Sequence, residues 1–195
     1  MNKKIKGGFK MASIKGVSLK KMKRTIGREG YGLLADVYVN NKKIGEYEDF
    51  GDGAMGDIHY TSTEVEEQFM HIVFAYAKEH PSDCIVEMYK ENPERYEAER
   101  ERILKYQPYI KEEEITIESV SAAHLDIIIA DVEALTNAEK EFKKILKKGY
   151  KCLVIAEQKH QQYYYYYGDA TDEQIKKNHE KVNAIYRSLD DFKIA

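Results

Sequence analysis

Leu33-Leu34-Ala35-Asp36-Val37-Tyr38-Val39-Asn40-Asn41-Lys42-Lys43-Ile44-Gly45-Glu46-Tyr47 is a pair of β-rich runs joined by two asparagines. A two-residue type I′ turn needs positive φ at both central positions, and Asn takes that conformation more readily than other side-chain-bearing residues. Pairing Val39 with Lys42 sets Val37 opposite Ile44 and Leu34 opposite Tyr47, so apolar residues meet on both faces and the register is self-consistent. The stretch predicts a β-hairpin at the heart of an antiparallel sheet. Just upstream, Val17 and Leu19 open a further alternating strand that carries Lys20, Lys21, Lys23 and Arg24. Gly27-Arg28-Glu29-Gly30-Tyr31-Gly32 joins that strand to the hairpin. Its glycines lack the G-x-G-x-x-G spacing and lead into a strand, whereas a phosphate cradle leads into a helix. It reads as a hairpin loop.

Beyond the sheet the patterning turns helical. After the glycine-rich acidic loop of residues 48–57 and a short strand near Ile58 to Tyr60, Thr63-Glu64-Val65-Glu66 has the form of a capping box. Val65, Phe69, Ile72, Val73, Tyr76 and Ala77 then recur at helical spacing, widened by Met70 and Phe74, so this helix is expected to pack on the sheet. His80-Pro81 ends it. Ser82 caps a short helix, and Asn92-Pro93 restarts another to about Tyr106, with i,i+4 ion pairs expected for Arg95/Glu99 and Glu101/Lys105. Leu125, Ile128, Ile129, Val132 and Leu135 keep helical spacing, although Ile127 to Ile129 also suits a buried strand. Thr136-x-x-Glu139 reads as a second capping box, and Gly149 after Lys147-Lys148 as a stop. Cys152 to Ala156 reads as a strand. A last helix is expected from Thr171, with Ile175, His179, Val182, Tyr186 and Leu189 on one face.

The fold class expected is α+β: an N-terminal antiparallel β-sheet of hairpins packed by a helix, then a helix-rich remainder with one or two further strands. Residues 1–12 are poor in periodic apolar positions and read as a flexible extension. Residues 13–195 read as a single domain, with the sheet and first helix at 13–81 and the helix-rich part at 82–195.

The chain has 195 residues, 43% hydrophobic and 33% charged, and a formal charge of -3. That length supports a real core without disulfides or metal. Three Pro and twelve Gly rule out collagen-like and mucin-like chains. No apolar run approaches the ~20 residues that span a bilayer. Cys84 and Cys152 form no C-x-x-C pair, so neither a disulfide scaffold nor a zinc ribbon is expected. The expectation is a soluble, cytoplasmic protein with no cofactor, no resident metal and no membrane partner.

The small net charge conceals a division. Residues 1–45 hold 12 Lys or Arg against only Glu29 and Asp36, whereas residues 46–133 hold 7 bases against 23 acids. Such asymmetry bears on partners. Lys20, Lys21, Lys23, Arg24 and Arg28 would meet phosphates if the hairpin bound DNA or RNA. Glu97 and Glu101, one helical turn apart, would meet a basic groove on another protein. Internal compensation between the two regions is the alternative to both.

One chemical constellation remains. Leu153-Val154-Ile155-Ala156-Glu157-Gln158-Lys159 is an apolar strand ending in Glu-x-Lys. Residues two apart on a strand point to one face, so Glu157 and Lys159 would converge. A metal-dependent nuclease uses such a pair to hold Mg²⁺ and orient water, with an upstream acid that here would be Asp126 or Asp131. The motif is short and has little specificity. Tyr163 to Tyr167 suits a base-stacking platform, or an ordinary strand with alternate side chains in the core.

Gly16-Val17-Ser18-Leu19-Lys20-Lys21, the Gly27 to Gly32 loop and Ala35 to Gly45 resemble small accessory proteins of bacterial phages and mobile elements. Glu139-Lys140-x-Phe142-Lys143-Lys144 with Lys148-Gly149-Tyr150, and Ser188-Leu189-Asp190-Asp191-Phe192, are similar to the same group. Some members of that group are anti-CRISPR proteins, inhibitors of the RNA-guided nucleases of type II systems. The resemblance implies an antagonist of a host defence nuclease, binding rather than catalysing. It carries over no site residue. The alternatives are a nucleic-acid-binding module using the basic hairpin and a nuclease using Glu157 and Lys159.

Overall fold

The computed structural model describes residues 11–195, which form an α+β fold. Most of the extension expected over residues 1–12 lies outside the described residues. The described residues divide into two compact units, one built from Ile14–Val132 and the other from Glu133–Ala195 together with residues 11–13. No helix among the described residues is long and apolar enough to cross a membrane.

The first unit is built on an antiparallel sheet in the order β5-β4-β3-β2-β1. Its strands are β1 (Ser13–Ile14), β2 (Val17–Ile26), β3 (Tyr31–Val39), β4 (Lys42–Glu48) and β5 (Asp57–Tyr60). Asn40 and Asn41 take φ of 49° and 67°, so the expected turn forms and Val39 faces Lys42. The register then departs from expectation. A bulge after Tyr38↔Lys43 sets Val37 opposite Gly45, not Ile44, and Leu34 opposite Glu48, not Tyr47. The extra residue keeps Ile44 and Tyr47 buried together with Leu33, Ala35 and Val37, which an unbroken register would not.

A second bulge falls on β2 between Lys20 and Lys23, with Lys21 at φ 51°. The Gly27–Gly32 loop is shaped by a neighbour. Glu29 N–H donates to the Gly51 carbonyl at 2.8 Å, and a Cβ on Gly27 would collide with the carbonyls of Phe50 and Gly51. The two loops are pressed backbone to backbone.

Helices α1 (Thr63–Glu79), α2 (Asp83–Glu91), α3 (Pro93–Tyr106) and α4 (Ile117–Ser121) complete this unit with the start of α5 (Leu125–Lys147). The predicted stripe of α1 is rotated toward Met70 and Phe74, which are buried with Phe69, Val73, Tyr76 and Ala77, while Val65 and Ile72 are half-buried. The N-cap is Ser62 and Thr63 is already helical, so the expected capping box does not form. Thr136 and Glu139 likewise start nothing. They lie inside α5, whose apolar stripe of Ile128, Val132, Leu135, Ala138, Phe142 and Ile145 continues past them without a break.

The second unit packs the end of α5 and the short α6 (Asp172–Asn178) with a three-stranded antiparallel sheet of order β7-β6-β8. Here β6 is Cys152–Gln158, β7 is Gln161–Tyr167 and β8 is Lys181–Tyr186. The long C-terminal helix expected from Thr171 stops at Asn178, and Val182, Ile185 and Tyr186 pair with β6 instead. Their β-branched and aromatic side chains suit a half-buried strand. Cys152, Val154, Ala156 and Ile175 form a core cluster, with Tyr165, Tyr167, Val182 and Ile185 packed against it. Phe192 is fully buried between Phe142, 5.5 Å away, and Tyr186, on which it stacks at 4.3 Å. Ala12 is buried in the same unit, its N–H donating to Glu139 Oε2. A two-residue strand, β9 (Lys193–Ile194), closes the chain.

Candidate functional site

Helix α3 carries the acidic pair singled out in the sequence. Asn92 caps it by accepting the Arg95 N–H, and Pro93 occupies the first turn. Ile103 anchors the helix inward, which leaves Glu94, Glu97 and Glu101 in one exposed row at i, i+3 and i+7. Arg100 and Arg102 of α3 turn back. Arg102 binds Glu99 at 2.9 Å and holds its carboxyl below the usual carboxylate range. Arg100 bridges Glu97 at 3.4 Å and Glu112. These pairs fall at i,i+3 or across to the turn at Glu112–Glu114, not at the expected Arg95/Glu99 and Glu101/Lys105. Among the described residues Glu94 and Glu101 have no ion-pair partner.

The basic hairpin is less open than its sequence implies. Asp36 is buried, and its carboxylate is held by Lys43 Nζ at 2.7 Å and Lys21 Nζ at 2.9 Å. Those two bonds keep the carboxyl below its ordinary value. Lys43 also reaches Glu46 at 2.6 Å, and both bonds raise its ammonium above the usual lysine range. The bulge at Lys21 turns this lysine onto Asp36. Lys20 lies 3.9 Å from the centre of the Tyr38 ring, and Arg28 pairs with Glu29 at 3.0 Å. Lys23 is exposed, as is Arg24.

The Glu-x-Lys geometry does not survive folding. Lys159 and His160 are the two turn residues between β6 and β7, with φ of 51° and 62°, so Lys159 is off the strand and does not share a face with Glu157. Glu157 pairs instead with Lys181 of β8 at 2.8 Å, and His160 lies 3.8 Å away. It borders a recess of about 310 Å³ with Tyr165, His179 and Glu180. Asp126, the proposed upstream acid, belongs to the other unit. It accepts from the Tyr47 hydroxyl at 2.7 Å and from Gly56 N–H at 3.3 Å, tying β4 and the acidic loop to the start of α5. Asp131 accepts from the Tyr76 hydroxyl at 2.6 Å. Among the described residues no three His, Cys, Asp or Glu side chains are grouped as a metal ligand set.

A cleft of about 250 Å³ in the first unit, bordered by Tyr60, Glu66, Glu99, Arg102, Gln107 and His124, has no counterpart in the sequence reading. Its residues come from β5, α1, α3 and the turn before α5, so no local motif marks it. Burial raises the Tyr60 hydroxyl well above the ordinary tyrosine value, with nearby Glu66 adding to the effect. Tyr109, which donates to Glu66 at 3.3 Å, is pushed up to about 12 by burial and by that carboxylate.

Comparison with known proteins places no relative beside this chain: no family model, no curated protein and no solved structure matches it.

Proposed function

We propose that this protein is a phage or mobile-element accessory protein, anti-CRISPR-like, that antagonises a host RNA-guided defence nuclease by binding it in the host cytoplasm. The observation that carries the reading is the exposed row of Glu94, Glu97 and Glu101, about 10 Å long along the α3 axis. Such nucleases hold nucleic acid in positively charged channels, and a helix presenting a row of exposed carboxylates, two of them without an ion-pair partner among the described residues, suits one. Arg102 is tied back to Glu99, and Arg100 is shared between Glu97 and Glu112, so the row keeps a net negative charge. The two alternatives draw less support. Lys21 of the basic hairpin is spent on Asp36, and Lys159 stands in a turn away from the Glu157 face.

The test is DNA cleavage by a purified, guide-loaded type II nuclease with increasing amounts of this protein. Inhibition is expected, and Glu97→Lys with Glu101→Lys should raise the inhibitory concentration about tenfold or more, since that change opposes a basic groove. Neither inhibition nor a complex at low salt would sink the proposal. DNA affinity that falls linearly with salt on a log–log plot would select the nucleic-acid-binding reading. Mg²⁺-dependent cleavage that disappears in Glu157→Ala would select the nuclease.

A further inference from the structure

Strand β7, Gln161-Gln162-Tyr163-Tyr164-Tyr165-Tyr166-Tyr167, contains no charge and no proline. Its register with β6 runs unbroken over all seven residues, and β6 is its one neighbour in the sheet among the described residues. Natural edge strands are guarded by lysines, prolines or bulges, because unpaired N–H and C=O groups recruit further strands. The opposite edge, β8, has such guards: Lys181 at its start and a register shift against β6. The β7 edge has neither. Tyr163, Tyr164 and Tyr166 are 44%, 43% and 38% exposed, so the edge is open to solvent.

The turn fixes which backbone groups point outward. In a two-residue hairpin the flanking residues, here Gln158 and Gln161, form a hydrogen-bonded pair. Gln161, Tyr163, Tyr165 and Tyr167 therefore direct their backbone groups to β6, while Gln162, Tyr164 and Tyr166 direct theirs to solvent. That outward set is symmetric about Tyr164.

We propose that β7 is a homodimerisation edge, at which two copies of this chain pair antiparallel about a two-fold axis through Tyr164. In this register Tyr164 faces Tyr164 of the second copy and Gln162 faces Tyr166, so about six backbone hydrogen bonds form and no outward group is left unpaired. The pairing uses residues of the strand alone, Gln162 to Tyr166, and none of them is charged. An uncharged strand also avoids the like-charge contacts that a two-fold axis imposes on a charged one. A second copy therefore fits this edge from end to end.

Sedimentation of the full chain from about 1 µM to about 1 mM tests the proposal. The wild type should be dimeric in the upper part of that range. Tyr164→Lys, which sets two ammonium groups against each other on the axis, should be monomeric throughout, and Tyr164→Thr should remain dimeric. The register is read separately in a Cys84→Ser background with oxidised glutathione as oxidant. Hydrogen-bonded partners lie about 5.5 Å apart between Cα atoms, within disulfide reach, so Tyr164→Cys should give a covalent dimer and Tyr163→Cys should not. This second readout decides the matter if Tyr164→Lys fails to fold. A wild-type monomer at all concentrations, a dimer unaffected by Tyr164→Lys, or equal cross-linking at both positions would each overturn the proposal.

Discussion

Phe192 stands three residues from the last residue of the sequence, a position where truncation is ordinarily harmless. The packing predicts the opposite. Its side chain is fully buried, stacks on Tyr186 at 4.3 Å and 17°, and meets Phe142 at 5.5 Å. Phe192→Ala removes a whole buried ring, for which the transfer and cavity costs together come to about 3–5 kcal/mol. For a chain of this size each kcal/mol lowers the melting temperature by about 2–4 °C, so the expected fall is about 6–20 °C. Phe192→Leu keeps most of the volume and should lose about half as much or less. Thermal melts followed by near-ultraviolet circular dichroism report it directly, since Tyr186 loses its stacked neighbour. A shift of under about 2 °C for Phe192→Ala would show that this end does not close the core.

Three further outcomes follow from the geometry. Asn41→Gly should be neutral or slightly stabilising, whereas Asn41→Val should cost about 1–2 kcal/mol in urea unfolding, because a β-branched residue resists the φ of 67° found there. Asp36 has a folded pKa below its ordinary value of 3.8, so its contribution is present above that pH and is lost as pH falls through the folded value. Asp36→Asn should therefore lower stability at neutral pH and flatten the acid limb of a stability–pH curve; an unchanged limb would refute the pairing with Lys43 and Lys21. Glu97→Lys with Glu101→Lys should change unfolding free energy by less than about 1 kcal/mol, as expected of exposed surface positions, so that any loss of partner binding reports the surface and not the fold.

Local patterning carried the hairpin turn, α1, α3 and the β6 strand into view, because each depends on spacing within one segment. The β3–β4 register escaped by one step, since strict alternation assigns Ile44 and Tyr47 to opposite faces and only the bulge brings both to one. Helix α5 looked like two elements because Thr136 and Glu139 imitate a start signal, yet burial of the continuous stripe overrides it. The β8 strand was hidden by an apolar spacing equally consistent with helix, and only pairing with β6 decides between them. At the candidate site, the exposure of Glu97 and Glu101 was legible from helical spacing. The capture of Lys21 by Asp36 was not, because it depends on the bulge and on Lys43 from a third strand. Nothing in Lys159-His160 advertises a turn, as neither residue is a usual donor of positive φ.

The two thiols are placed so differently that they serve as separate chemical clocks. Cys84, beside the Ser82 hydroxyl near the start of α2, is exposed, while Cys152 is fully buried on the central strand β6 and burial pushes its thiol up. A maleimide dye added to the native protein should therefore stop at one label per chain, at Cys84. The second label can enter only when β6 separates from its neighbours, so its slow rate measures how often the β7-β6-β8 sheet opens. The chain thus carries a built-in gauge of one unit's opening that needs no engineered probe.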